Sequence, residues 1–498
     1  MTTPDNEFAD IQGLLWSGYG PLKEACFLLL RVTDAAAARA WLRVTAESVT
    51  SIEQLRQARV GRALHIALTA GGMRALGVAE GVIDGFSAEF IAGLAGDEGR
   101  SRRLGDLGTS APSLWRWGGP QEPHILLMMY TAENLDAWRA QIEAALGNGL
   151  AVLDRLSTAD MGGEEPFGFM DGVSQPRIDW SAEREPDTTA DLDYGNLLTA
   201  GEFLLGYRNE YGLYTDRPLL DPEQPGATAL PIAEDNPARR DLGRNGSYLV
   251  MRELAQDVGG FWGFIAARTD DDNAAIALAQ AFVGRTMSGD VLVPTSAQPI
   301  RGVGPHELDI ARNQFTYDED RAGLHCPFGA HVRRANPRTG DMPGGRRGLL
   351  ARLIRMLGLG HQDLSQDLIA ASRFHRIIRR GREFGDRLKW PAAAQPDAPD
   401  PRSGLYFICL NANISRQFEF IQNAWLISAR FDGMSGEADP LLGNREPMPA
   451  GHSTDGFTLP QPNGISRTIA ALPTFITVRG GAYFFLPGLR ALRYFAGG

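Results

Sequence analysis

The sequence predicts an α+β protein built from two β-α-β-β-α-β units, with antiparallel sheets and long insertions. Three observations predict it. Short apolar runs rich in β-formers alternate with amphipathic stretches that begin at capping residues. Early in the chain these runs follow the order strand, helix, strand, strand, helix, strand. A weaker copy of that order returns from Ser247 onward. At 498 residues the chain is also too long for one ordinary domain, and the repeat divides it into segments 1–200 and 201–498.

The elements follow in order. Ala25–Val32 (ACFLLLRV) is an apolar strand, and DAAAARAWLRVTAESV is a helix capped by Asp34. Ala63–Thr69 (ALHIALT) is the second strand and His124–Tyr130 (HILLMMY) the third. Thr131 is the expected cap of the helical TAENLDAWRAQIEAAL, and Gly149–Arg155 (GLAVLDR) closes the unit. This is the ferredoxin-like order, with an insertion between the middle strands. In the second unit Ser247–Leu254 runs into the helical AQDVGGFWGFIAAR, Gly404–Leu410 runs into ISRQFEFIQNAWL, and Thr474–Gly480 closes the set.

Insertions fall where Pro, Gly and charge accumulate: Ala182–Ala200, Asp216–Asn245, Ala335–Ala371 and Pro391–Arg402. The third contains GRRGLLARLIRMLG (Gly345–Gly358), in which Leu349, Leu350, Leu353, Ile354 and Leu357 form a helical apolar stripe beside four arginines. The ordinary reading is a helix packed on its own domain. The alternative is a basic helix that touches a membrane or partner surface.

Composition narrows the classes. With 43% hydrophobic and 22% charged residues the chain is of ordinary globular type, and a formal charge of −11 argues against a nucleic-acid partner. Cys26, Cys326 and Cys409 form no disulfide framework, no C-x-x-C pair and no C-x-x-C-H site for covalent haem. The N-terminal MTTPDNEFADIQG has no basic start or apolar run, and no stretch reaches the length of a membrane span. A cytoplasmic location is expected.

The candidate chemistry is sparse. There is no H-E-x-x-H, G-x-S-x-G, Walker loop or dinucleotide fingerprint. Of eight histidines, His65 and His124 sit in or beside strands, and His306, His361 and His452 lie in polar loops. The remaining three cluster with arginines, in LHCPFGAHVRRANPR (His325, His331) and FHRIIRRGREFG (His375). In PFGFMDGVSQPR, the Asp171–Gly172 pair reads first as a turn. Yet Phe167, Phe169 and Met170 tend to bury the carboxylate, and a buried carboxylate needs a partner. One histidine can hold haem iron axially and leave the opposite side open. On that side a carboxylate and an arginine supply what peroxide cleavage needs, a base and a fixed cation.

The motifs resemble the dye-decolorising peroxidase family, in particular its larger-bodied members. GFMDG is similar to that family's G-x-x-D-G signature, CPFGAHVRRANPR to its proximal-histidine segment, and IIRRGREFG to its distal-arginine segment. DIQGLL, EFLLGYRNEYG, GLYFICL and TVRGGAYFFLPGL are also similar to family sequence, so the resemblance spans Asp10 to about Leu489. It implies one non-covalent b-type haem per chain in the C-terminal unit, ligated by His331, with Asp171 and Arg379 on the distal side. It also implies that hydrogen peroxide is reduced and that organic donors such as dyes and phenolics are oxidised in one-electron steps.

On that reading His325 and Arg380 are the rivals of His331 and Arg379. Asp439, with Glu437 as its rival, is expected to orient the ligand histidine. Arg333 or Arg334 is expected on the haem propionates. Gly172, Leu405 and Phe407 are expected around the cofactor. Trp390 and Tyr317 are conceivable relays to the surface. A carboxylate base, with a reference pKa of about 3.9 against about 6.5 for imidazole, predicts turnover that is highest at mildly acidic pH. The competing readings are a haem carrier or sensor, which needs neither Asp171 nor Arg379, and a porphyrin-processing enzyme that uses the same pocket.

Overall fold

A computed structural model describes residues 7–183, 195–294, 312–338, 371–445 and 453–497. The expected basic helix at 345–358 lies outside them. The first unit consists of β1 (Glu24–Val32), α1 (Ala35–Ala46), β2 (Arg62–Leu68), β3 (Ile125–Thr131), α2 (Leu135–Ala145) and β4 (Leu150–Ser157). Asp34 caps α1 as expected, accepting from Ala37 N at 2.8 Å. Thr131 does not cap α2. It stays in β3, paired with Glu24 and Arg62, and the Glu24 carboxylate accepts from Leu135 N at 2.8 Å instead.

The second unit consists of β5 (Ser247–Gln256), α3 (Val258–Ala266), α4 (Asp272–Val283), α5 (His331–Ala335), β6 (Ile378–Arg379), β7 (Arg382–Phe384), β8 (Gly404–Asn411) and β9 (Ile476–Leu486). Between β8 and β9 the helical ISRQFEFIQNAWL segment is π-helical, at Ser415–Glu419 and Ile421–Ile427. The fourth strand of this unit, missing from the sequence reading, is the broken pair β6 and β7. Its arginine-rich, glycine-interrupted sequence hides a strand. Gly381, at the break, lies so close to β8 that a Cβ there would stand 2.7 Å from the Tyr406 carbonyl.

Each unit has the same spatial order, β4-β1-β3-β2 in the first and β9-β5-β8-β6 in the second, with β7 also on β8. All these pairings are antiparallel. The two sheets join where Phe485 of β9 faces Leu68 of β2, giving one nine-stranded sheet. Strand alternation explains the unbroken apolar run of β1. Cys26, Leu28 and Leu30 pack into one hydrophobic cluster and Phe27 and Leu29 into another, so both faces of the strand are covered. Among the described residues no helix is long and apolar enough to cross a membrane.

The same alternation separates two adjacent arginines. Arg379 pairs with Cys409 at the end of β6, and its side chain reaches the cavity described below. Arg380 points the other way, donating to the carbonyls of Leu14 at 2.6 Å and Leu15 at 3.0 Å.

Candidate functional site

A cavity with an empty volume of about 1570 Å³, including its solvent-open part, lies in the second unit. Its walls are the 165–176 segment, one face of β5 and β8, the end of α4, one side of α5 and the π-helical segment. Much of the lining is apolar, including Phe167, Phe169, Leu254, Leu405, Phe407 and Leu426. Leu405 and Phe407 share a strand face because side chains two apart do so.

The PFGFMDGVSQPR segment is a tightly bonded loop. The Glu165 carboxylate accepts from Phe167 N at 3.0 Å and Phe169 N at 3.1 Å, and Gln256 Nε2 donates to it at 2.7 Å. Gly168 and Gly172 take positive φ of 97° and 79°, where glycine carries no Cβ penalty. Phe167 is buried and stacks on Phe261 at 4.5 Å, while Trp262 Nε1 donates to its carbonyl at 3.1 Å. Met170 N donates to Met287 O at 3.0 Å and Asp171 N to Gly163 O at 2.9 Å. The loop therefore holds Asp171 by its own backbone N–H and by that of the preceding residue.

Asp171 Oδ1 accepts from Arg379 Nη1 at 2.6 Å. Burial alone pushes the Asp171 carboxyl up. The adjacent Arg379 charge, the Gly172 N–H and the Arg379 hydrogen bond outweigh that and hold it below its usual range. The backbone of Arg379 is clamped by Gln175, whose Oε1 accepts from Arg379 N at 3.0 Å and whose Nε2 donates to Arg379 O at 3.2 Å. Gln175 lies in the same short segment as Asp171. Nothing in the linear sequence links it to an arginine 204 residues away.

His331 opens α5 and lines the same cavity. Its Nδ1 lies 2.9 Å from Asp439 Oδ2. Asp439 is fully buried, and its Oδ1 accepts from Leu441 N at 2.9 Å and Leu442 N at 2.8 Å. A carboxylate only accepts, so Nδ1 carries a proton, and in the neutral ring Nε2 is the free nitrogen. Burial lowers the His331 pKa, but the Asp439 carboxylate raises it further, and the result lies above the usual range. Asp439 is lowered in return, its burial being outweighed first by His331. Glu437, the rival, is engaged elsewhere, accepting from Thr458 N at 3.0 Å and from the Thr458 hydroxyl. His325 is exposed and absent from the lining.

No family model matches the chain. The dye-decolorizing peroxidase msp1 of Mycetinis scorodonius is 29% identical over 512 residues, covering 97% of this chain and 86% of that protein. Over nearly its whole length the chain is therefore similar to proteins named dye-decolorising peroxidases. The multifunctional dye peroxidase DyP2 of Amycolatopsis sp. is 28% identical over 498 residues, covering 94% of this chain and 91% of its own. In fold, the chain is similar to the crystal structure of a fungal DyP-type peroxidase from Auricularia auricula-judae, with a TM-score of 0.72 at 24% identity over 99% of both chains.

Two residues expected at the cofactor, Arg333 and Arg334, lie outside the lining of this cavity. Arg333 donates to Cys326 O at 2.8 Å and Asp320 O at 3.1 Å, beneath the rings of Tyr317 and Phe328. Arg334 donates to the carbonyls of Trp425 at 2.7 Å, Ser428 at 2.6 Å and Glu437 at 3.2 Å. Helical phase is the reason. At about 100° per residue, positions 331, 332, 335 and 336 share the side of α5 that meets the cavity, and 333 and 334 point away. Gly172 is likewise absent from the lining and acts through its backbone. Trp390 packs on Trp262 at 4.9 Å, and Tyr317 is buried with the Arg333 guanidinium over its ring. Two titratable cavity residues, Glu165 and Arg285, lie in no motif or element of the sequence reading. Burial pushes the Glu165 carboxyl up to about 7, against the pull of its hydrogen bonds.

The site suits a haem. Among the described residues no three His, Cys, Asp or Glu side chains come together to chelate a metal. A haem brings its own ring nitrogens and needs from the protein one axial histidine and mainly apolar walls, both of which the cavity offers.

Proposed function

We propose that the chain is a haem peroxidase that reduces hydrogen peroxide and oxidises organic donors, dyes and phenolics among them, in one-electron steps. One observation carries the proposal. An ionised Asp171 tied to Arg379 faces the same cavity as a histidine whose tautomer is set by a buried carboxylate. A bound haem b supplies the iron at which peroxide is reduced. His331 would hold it through Nε2, and Asp439 would keep that nitrogen free of its proton and more basic.

Asp171 is the base. Held ionised by Arg379, it takes the proton from the entering peroxide and returns it to the departing oxygen. Arg379 has a second task, because its guanidinium stays charged throughout and stabilises negative charge as the O–O bond breaks. Leu405 and Phe407 exclude water around the pair and keep its electrostatics strong. Segment 1–200 would contribute the 165–176 wall with the distal carboxylate, and segment 201–498 the rest of the cavity. Cys26, Cys326 and Cys409 are free and buried, which suits the cytoplasm.

The test uses hemin-loaded protein. Asp171→Asn is expected to keep the Soret band and to lower kcat/KM for peroxide by about 10²–10⁴-fold, the usual range for a lost acid–base group. Unchanged turnover in that variant, with hemin bound, would leave a haem carrier or sensor as the better reading.

A further inference from the structure

Eight charged or titratable side chains line the cavity, and seven of them have a polar partner that accounts for their charge or their place. Asp171 pairs with Arg379, and His331 with Asp439. Arg252 is bound to the buried Asp106. Glu165 accepts two backbone N–H groups and the Gln256 amide. Arg376 donates to Asn196 Oδ1 at 3.0 Å, and His375 Nδ1 meets the Arg416 carbonyl.

Arg285 is the exception, because one of its two terminal nitrogens has no partner. It follows the left-handed Gly284 that ends α4, and it is only 4% exposed. Its Nη1 donates to Gly289 O at 2.8 Å and lies 3.3 Å from Arg312 O. Its Nη2 is sealed from water and has no hydrogen-bond partner. No carboxylate among the described residues pairs with it, and the cationic side chains of Arg338 and Arg379 act on it instead. A desolvated guanidinium without an anion is costly, since each buried unpaired donor carries its own desolvation penalty. Burial, followed by the Arg338 charge, lowers its pKa to about 10.

Its place in the fold says where an anion would come from. Gly284 packs against Ala330, Val332 and Cys326, so Arg285 stands beside the segment that carries His331. Gly289, the carbonyl of which Arg285 binds, packs against Met170 and Val173 of the Asp171 loop. Arg285 thus occupies the wall where the His331 and Asp171 sides meet, which is where the edge of a ring lying between them would fall.

We propose that Arg285 is the anion anchor of the cavity and receives a carboxylate of the porphyrin, the role expected of Arg333 or Arg334. The inference rests on the haem reading above. A guanidinium suits a carboxylate because its donors match both oxygens.

The test compares two porphyrins in each protein, hemin and hemin dimethyl ester, which lacks free carboxylates. Equilibrium binding to the apoprotein is followed by the Soret band and by quenching of tryptophan fluorescence. The parent is expected to prefer hemin at least tenfold. Arg285→Gln should cut that preference about tenfold, and Arg285→Lys, which keeps the charge, should retain most of it. An unchanged preference in Arg285→Gln overturns the proposal. So does a parent that binds both porphyrins equally, a result that needs no variant and leaves the haem reading intact. A parent that binds neither porphyrin overturns both readings together. Comparing the two ligands within one protein cancels any general loss of packing in a variant.

Discussion

Replacing Asp439 with Asn keeps the shape of the side chain and reverses one proton. The Leu441 and Leu442 N–H groups both donate to Oδ1, so the amide oxygen of an asparagine must stay there. The amide nitrogen then faces His331 Nδ1, where the carboxylate Oδ2 now sits at 2.9 Å. Two donors cannot face one another, so Nδ1 becomes the acceptor and the ring proton moves to Nε2, the nitrogen that would bind iron. Loss of such an orienting partner typically lowers metal affinity 10–100-fold, or about 1.4–2.7 kcal/mol. The apoprotein itself should lose only about 1 kcal/mol, since both backbone N–H groups keep their acceptor. The assay is titration of apoprotein with hemin, read at the Soret band, beside thermal unfolding of the apoprotein. An Asp439→Asn protein that binds hemin with the parent's affinity and Soret position would refute the tautomer argument.

Three further outcomes are expected. A base works when ionised, so turnover is kept above the Asp171 pKa and lost as pH falls through it; because Arg379 and the Gly172 N–H together outweigh burial and hold that pKa down, the parent's acid limb in kcat/KM for peroxide should lie below the ordinary carboxylate range. Arg379→Leu removes the group that opposes burial, so besides slowing turnover it should move that limb upward by a pH unit or more, as a pH–rate profile would register. Glu165 has the opposite sign: its folded pKa of about 7 exceeds the ordinary 4.5, so the stability it confers is complete below pH 4.5 and is lost as pH rises to 7. Urea unfolding at pH 5 and pH 8 should show a smaller loss for Glu165→Gln than for the parent, by up to about 3 kcal/mol. Finally, Gly172→Ala meets no neighbour within 4 Å but must keep a φ of 79°, so a loss of about 1 kcal/mol in chemical unfolding is expected from backbone conformation alone.

Much of the fold was legible because periodicity is a local property. The strands of the first unit fall within two residues of their expected bounds, since buried strands of a sheet covered on both faces read as continuous apolar runs. The strand that carries Arg379 was not legible. Arginines and a glycine disguise it, and only its bonds to β8 make it a strand. Thr131 misled for a related reason, because pairing on both sides outweighed its tendency to cap.

By itself, the sequence determined the sheet units, the absence of familiar hydrolase, nucleotide and zinc motifs, and a shortlist made of one carboxylate, a few histidines and several arginines. Those follow from residue type and spacing along the chain. The tertiary structure alone decided how members of the shortlist pair. Asp171 meets Arg379 across 208 residues and His331 meets Asp439 across 108, distances over which no local pattern operates. It decided between neighbours as well, since strand parity turns Arg379 toward the cavity and Arg380 away. Helical phase likewise turns Arg333 and Arg334 to backbone carbonyls, and Arg285, from a segment without an evident motif, is left as the buried cation at the cavity wall. Direction and burial are properties of the packed chain, and they decide which charged side chains can take part in chemistry.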